Sequence, residues 1–171
     1  MEELKSIGIE IIYDRTLEKE SLKDAMEELQ PDVLVVRSTK VSPSIVDADP
    51  KLQLVVRAGA GFDTIDFTHC SRKGIYVANC PGKNAHAVAE LTMGIIVNID
   101  RRMSEGYALL KDGKWNKPLF STCKGLKDRT IGLIGFGNIS QLVCKLAKAF
   151  EMDVLVHTRT KYPALAKQMG F

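Results

Sequence analysis

Short apolar runs alternate along this chain with stretches of helical periodicity. The runs cover residues 9–13, 33–36, 52–56, 75–78, 130–134 and 154–156. Their length and their content of Val and Ile predict strands. Between them, Leu22, Ala25, Met26 and Leu29 recur on one face of 18–30, and Val143, Leu146, Ala147 and Phe150 on one face of 140–150. That spacing gives a helix one buried stripe. Strands that are apolar almost throughout and separated by helices predict a parallel sheet covered on both faces, which is a doubly wound α/β fold.

Two such blocks can be drawn, one up to about Cys80 and one from about Asp128, joined by a long apolar helix after Asn84 and a segment over 111–127. The apolar stretch 85–99 is broken by Glu90, Thr92 and Asn98, so it predicts a helix buried on most sides and is too short and polar to span a membrane. Ligands of doubly wound sheets bind beyond the carboxyl ends of the strands. Arg37-Ser38, Arg57 to Gly61, Asn79-Cys80-Pro81 and Gly135-Phe136-Gly137 each follow a predicted strand. These four strand ends are expected to face one cleft.

Composition narrows the classes. With 171 residues, 45% of them hydrophobic and 26% charged, the chain is globular, and has room for one ordinary domain or two small ones. The formal charge of +3 comes from 24 basic and 21 acidic residues that are interspersed, so no nucleic-acid or membrane partner is expected. Cys70, Cys80, Cys123 and Cys144 form no CxxC pair and no metal-ligand spacing with His69, His86 or His157. Free thiols, no metal and a reducing compartment are therefore expected. The start, Met1-Glu2-Glu3-Leu4-Lys5, carries no apolar signal segment, and a cytoplasmic location is expected.

The most specific local pattern is Gly135-Phe136-Gly137-Asn138-Ile139-Ser140, a GxGxxS sequence between a predicted strand and an amphipathic helix. Gly135 permits a tight turn, and Gly137 lets backbone approach a pyrophosphate whose charge the helix N-terminus favours. Ser140 stands where a third glycine is usual, which a small residue satisfies. The same residues also suit a strand-to-helix turn that binds nothing. The acid expected about twenty residues on, for the ribose 2′-OH, is missing: Thr158, Arg159, Thr160 and Lys161 follow the last strand. Arg159 and Lys161 either attract a 2′-phosphate, which allows NADP(H) alone or beside NAD(H), or are solvated loop charges.

Taken together, residues 35–40, 56–63, 79–84 with 88–91, 111–115 and 130–139 resemble, in order and spacing, the D-isomer-specific 2-hydroxyacid dehydrogenases. The resemblance covers nearly the whole chain. It implies a flavodoxin-like substrate domain over 1–83 that lacks its first strand, an interdomain helix and dimerisation segment over 84–127, and the beginning of a Rossmann-type NAD(P)-binding domain over 128–171. It implies hydride transfer between NAD or NADP and a small-molecule D-2-hydroxy acid, while the apolar stretch 85–99 and the tract around Trp115 lead to the expectation of a homodimer. The expected acid is 3-phospho-D-glycerate, at the first step toward serine. Glyoxylate or hydroxypyruvate chemistry is the alternative, as is a non-enzymatic nucleotide sensor on the same scaffold.

By the same resemblance, Arg37, Ser38, Arg57, Gly59 and Asn84 contact substrate, with backbone N–H groups near Gly59 and Ala60 on its carboxylate. Ala60, Gly135, Gly137, Asn138, Ile139, Thr158 and Arg159 line the cofactor. Taken singly, Arg37 and Arg57 are equally suited to salt bridges at a strand end. The family's general base is a His oriented by a Glu, with an Arg on the carboxylate, all beyond the glycine loop. His69 lies in a polar helix over 66–73 and is expected at the surface, His157 ends a strand beside the adenosine site, and His86 opens the long helix without an orienting acid. No catalytic residue is assigned, and the chain alone is expected to be inactive. With only two strands after Asp128, it is also expected to be a piece of a larger fold.

Overall fold

In the computed structural model, residues 2–171 are described. They form two compact units, Met1–Pro81 and Gly82–Phe171. The first contains α1 (Glu2–Ser6), α2 (Lys19–Leu29), β1 (Val33–Val36), α3 (Pro43–Asp47), β2 (Leu54–Arg57), α4 (Phe67–Arg72) and β3 (Tyr76–Asn79). Its strands make a parallel sheet in the order β1-β2-β3.

Local signals set these boundaries. The Glu18 N–H donates to Ser21 Oγ at 3.1 Å where α2 begins, and α2 stops at Gln30, which takes the left-handed conformation. Pro43 opens α3 after Ser42, at a position where its missing N–H has no partner to lose. Asp66 caps α4 by accepting the His69 N–H at 2.9 Å.

Leu22 and Met26 of α2, Ile45 and Val46 of α3 and Cys70 of α4 pack with Val36 and Val55 of the strands in one core. Each such aliphatic side chain contributes about 1.5–3 kcal/mol on leaving water. Among the described residues of this unit the helices pack on one face of the sheet. Val35 and Tyr76, on the other face, are 62% and 78% exposed. The reason is topological. Crossovers between parallel strands are right-handed, so three strands laid down in sequential order send their connecting helices to the same side.

The predicted strand at 9–13 is also absent: these residues are irregular, and Ile12 and Tyr13 are exposed. An apolar run becomes a strand only with a neighbour to take its N–H and C=O groups, and no strand of the sheet pairs with it.

The second unit contains α5 (Ala85–Arg101), α6 (Met103–Lys111), α7 (Lys117–Phe120), β4 (Thr130–Ile134), α8 (Asn138–Ala149), β5 (Asp153–His157) and α9 (Pro163–Met169). The long helix α5 and the segment after it thus belong with β4 and β5. The two strands pair in parallel. Ala89 and Met93 of α5 and Val143, Cys144 and Ala147 of α8 bury one face of this pair, together with Val154. Its other face carries Ile134 and Leu155, 90% and 66% exposed.

The helix predicted to be buried on most sides buries only Ala85, Ala89 and Met93, while Leu91, Ile95 and Ile99 are exposed. Small residues at one stripe let α8 approach closely, and within this unit nothing covers the opposite stripe. The Asp100 side chain fixes the far end of α5, accepting the Gly125 N–H at 2.8 Å and Arg129 Nη1 at 2.7 Å. No helix of the described residues is long and apolar enough to cross a membrane.

Candidate functional site

At the carboxyl edge of the first sheet, Val36, Arg57 and Asn79 stand in register, so the residues that follow them emerge side by side. Three hydrogen bonds tie these ends together. The Ala58 N–H donates to Val36 O at 2.8 Å, the Cys80 N–H to Gly59 O at 2.9 Å, and Asn79 Nδ2 to Ala60 O at 2.6 Å. Arg37, Ser38, Arg57, Gly59 and Ala60 therefore share one edge, as the spacing of their motifs implied. Arg37 and Ser38 are exposed, whereas Arg57 is half-buried. Neither arginine forms an ion pair among the described residues, so the salt-bridge reading of these two finds no acid to support it.

The backbone donors at this edge differ from expectation in one respect. The Gly59 N–H turns back to donate to Arg57 O at 2.7 Å. It is thus committed within the turn, while the Ala60 N–H meets no protein acceptor among the described residues. The Arg57 guanidinium lies over Gly59, and its Nε is buried without an acceptor.

In the second unit, Ile134 and His157 end β4 and β5 in register, and the Gly135 N–H donates to His157 O at 2.8 Å. The glycine loop and Thr158-Arg159 consequently emerge together. Gly135 has φ +87°, a conformation that strains any residue with a side chain. Gly137 precedes α8 in an extended conformation, with no side-chain cap on the helix. A Cβ on either glycine would meet nothing within 4 Å. The space in front of the loop is open, and the first N–H groups of α8 are unpaired in the way an anion requires. Asn138 and Ile139 are exposed at that helix start, Thr158 is half-buried and Arg159 exposed.

Asn84 precedes α5 and is exposed, its side chain making no capping bond. Gly82, two residues earlier, has φ +75°, and a Cβ there would lie 3.1 Å from Asn138 Nδ2. The turn before α5 thus rests against the start of α8. Sequence reasoning missed Gly82 and the Asn79 clamp. The Pro81-Gly82 dipeptide announces a turn, but nothing local says what the turn touches.

The histidines separate further. His86 is exposed in the first turn of α5, and His157 is exposed at the end of β5. His69, expected at the surface, is tied to a neighbouring element. It is half-buried, and its Nε2 is 2.9 Å from Asp47 Oδ1, which also accepts from Lys73 Nζ at 2.8 Å. The lysine contact first, and the histidine second, hold the Asp47 carboxyl below the usual carboxylate range. This group joins α4 to the far end of α3, where the chain is returning to the amino edge of the sheet. All four cysteines are free, and burial pushes the Cys70 and Cys144 thiols up. Among the described residues no cluster of His, Cys, Asp and Glu could hold a metal ion.

Comparison with known proteins bears on this arrangement. Residues 1–168 match the model of the D-isomer specific 2-hydroxyacid dehydrogenase catalytic domain. Hydroxypyruvate reductase of Thermotoga maritima is 44% identical over 146 residues, which are 85% of this chain and 47% of that protein. D-3-phosphoglycerate dehydrogenase of Methanocaldococcus jannaschii is 39% identical over 171 residues, 98% of this chain and 31% of the relative. The chain thus spans less than half the length of either.

Among solved structures, an acyclic imino acid reductase in complex with NADPH and D-Arg superposes with TM-score 0.81 at 26% identity, over 95% of this chain and 53% of that one. The NAD+-bound 3-phosphoglycerate dehydrogenase of Entamoeba histolytica gives TM-score 0.75 at 30% identity, over 95% and 49%. The parallel α/β units, the glycine loop in its strand-to-helix setting and the match over almost every residue agree: the chain belongs to the D-isomer specific 2-hydroxyacid dehydrogenase family.

Proposed function

We propose that this chain supplies the acid-binding and pyrophosphate-binding elements of an oxidoreductase that moves a hydride between NAD(P) and a D-2-hydroxy acid. The observation that carries the reading is the open glycine loop ahead of an uncapped helix. The residues fit a dinucleotide: Gly135 and Gly137 leave room for the pyrophosphate, and the N–H groups at the start of α8 face its charge. Thr158 and Arg159, beside them, take the ribose. The nicotinamide supplies the hydride chemistry when bound, and the protein contributes orientation and electrostatics.

The acid is the business of the other edge. Arg37 and Arg57, without carboxylate partners, suit a substrate that carries one anionic group or two, and a guanidinium grips a carboxylate or a phosphate with two parallel bonds. The Ala60 N–H is a free donor for the carboxylate. We take 3-phospho-D-glycerate as the substrate, because two unpaired arginines at one edge match its phosphate as well as its carboxylate. Hydroxypyruvate or glyoxylate is the second reading, favoured by the 44% identity to a hydroxypyruvate reductase.

The exposed stripe Leu91, Ile95 and Ile99 of α5, and a groove of about 380 Å³ that includes Leu109, Leu110, Trp115 and Phe120, suit association of two copies. Contiguous apolar surface of this kind marks an interface, and homodimers are the commonest soluble assembly.

None of the three histidines combines a place at these edges with a carboxylate partner, so these 171 residues alone are expected to bind nucleotide without turnover. The test pairs calorimetry, using NADH and NADPH, with an assay at high protein concentration on 3-phosphohydroxypyruvate, hydroxypyruvate and glyoxylate. Micromolar nucleotide binding that is abolished in Gly137→Val supports the reading. Absence of any nucleotide binding sinks it, and turnover that vanishes in His86→Ala overturns the inactivity of this chain.

A further inference from the structure

Among the described glycines with left-handed backbone, Gly59 is missing. Its φ lies outside the left-handed range, so no left-handed strain requires glycine at this position. Space does. A Cβ on Gly59 would overlap Arg57 Nη1 and lie 2.6 Å from Cζ and 3.3 Å from Nε.

Two further observations make this contact more than a coincidence of rotamers. The turn cannot retreat, because the Gly59 N–H donates to Arg57 O at 2.7 Å and Gly59 O accepts the Cys80 N–H at 2.9 Å. Nor is the guanidinium held by an acid: its Nε is buried without an acceptor, and the described residues offer it no carboxylate. A buried donor without a partner calls for an explanation, and a ligand acceptor is one. Something other than a counter-ion must keep this cation at the sheet edge rather than in solvent.

We infer that Gly59 is a positioning residue whose missing side chain forms the seat for the Arg57 guanidinium and so holds it ready for an anionic group of the acid. The inference rests on the reading that the acid binds at this edge. A methyl group at 59 leaves the turn in place and expels the head of a flexible side chain, so the damage falls on the placement of the cation. The Gly59 N–H takes no part in this, since it is already used within the turn.

The experiment uses the whole 171-residue chain, labelled with ¹⁵N, and inorganic phosphate as the anion. The Arg57 Nε–H resonance is identified by its loss in Arg57→Gln. In Gly59→Ala that resonance is expected to move to the position of solvent-exposed arginines while the backbone spectrum outside 56–61 is retained. Phosphate affinity should fall roughly tenfold, as for loss of one charge-assisted hydrogen bond. In the Arg57→Gln background, Gly59→Ala should change nothing, because there is no head left to displace. An unmoved Nε–H resonance with unchanged phosphate affinity in Gly59→Ala overturns the inference.

Should Gly59→Ala fail to fold, recovery of folding in the double variant supports the seat, and failure there as well refutes it. Phosphate binding that Arg57→Gln leaves unaltered sinks the acid-site reading instead, and the Nε–H shift still decides whether the seat exists.

Discussion

Thr158 and Arg159 follow β5 directly, beside the glycine loop, where a carboxylate would otherwise repel the 2′-phosphate of NADPH. The bare hydroxyl and the guanidinium leave that phosphate unopposed. This chain should therefore bind NADH and NADPH with comparable affinity. Thr158→Asp should weaken NADPH at least about tenfold, worth about 1.4 kcal/mol, while sparing NADH, since the new carboxylate accepts the free 2′-hydroxyl but repels the phosphate. Calorimetry with the two nucleotides checks this, and equal losses for both would count against it. These side chains were legible in the sequence because strand β5 announced its own end. Gly82 was not, for its neighbour Asn138 lies far along the chain and only folding brings the two within reach.

Helices α3 and α4 show how an element is held in place by a group the sequence did not single out. Asp47 closes α3 and receives both Lys73 Nζ and His69 Nε2 from the α4 segment. Its carboxyl is held below its ordinary value, so the charged form is favoured by folding and the sign follows: the stabilisation is complete above the unfolded value of 3.8 and is lost as the pH falls below it, through the folded value. Thermal unfolding should show Asp47→Asn melting below the parent chain at pH 6, with the difference shrinking as the pH is lowered below 3.8 and the parent carboxyl takes up its proton. A gap that stays constant across this range would mean that the ion pairs contribute nothing, as exposed pairs often do. At this scale the sequence placed the helices and put His69 at the surface but did not show its partner, because Asp47 lies on another element.

For the whole molecule, the exposed apolar stripe of α5 and the groove beside Trp115 carry the proposal of a homodimer. Sedimentation equilibrium at tens of micromolar should report twice the 18.9 kDa chain mass, and Ile99→Glu should shift the population to monomer by burying an uncompensated charge in the interface. A monomer in both proteins would end that proposal.

The sequence alone determined the alternation of strands and helices, the parallel α/β class, the strand ends at which the motifs sit and the family to which they point. Periodicity and turn residues act over a few positions, and the order of the motifs along the chain is preserved whatever they pack against. Which faces of the sheets and of α5 are covered was decided by tertiary structure, because coverage follows from strand order and crossover hand rather than from the apolar content of any one run. The same holds for the run 9–13, apolar enough for a strand but without a neighbour to pair with. It holds again at Gly59, where the reason for glycine lies in where the Arg57 side chain comes to rest, a contact that no spacing along the chain encodes.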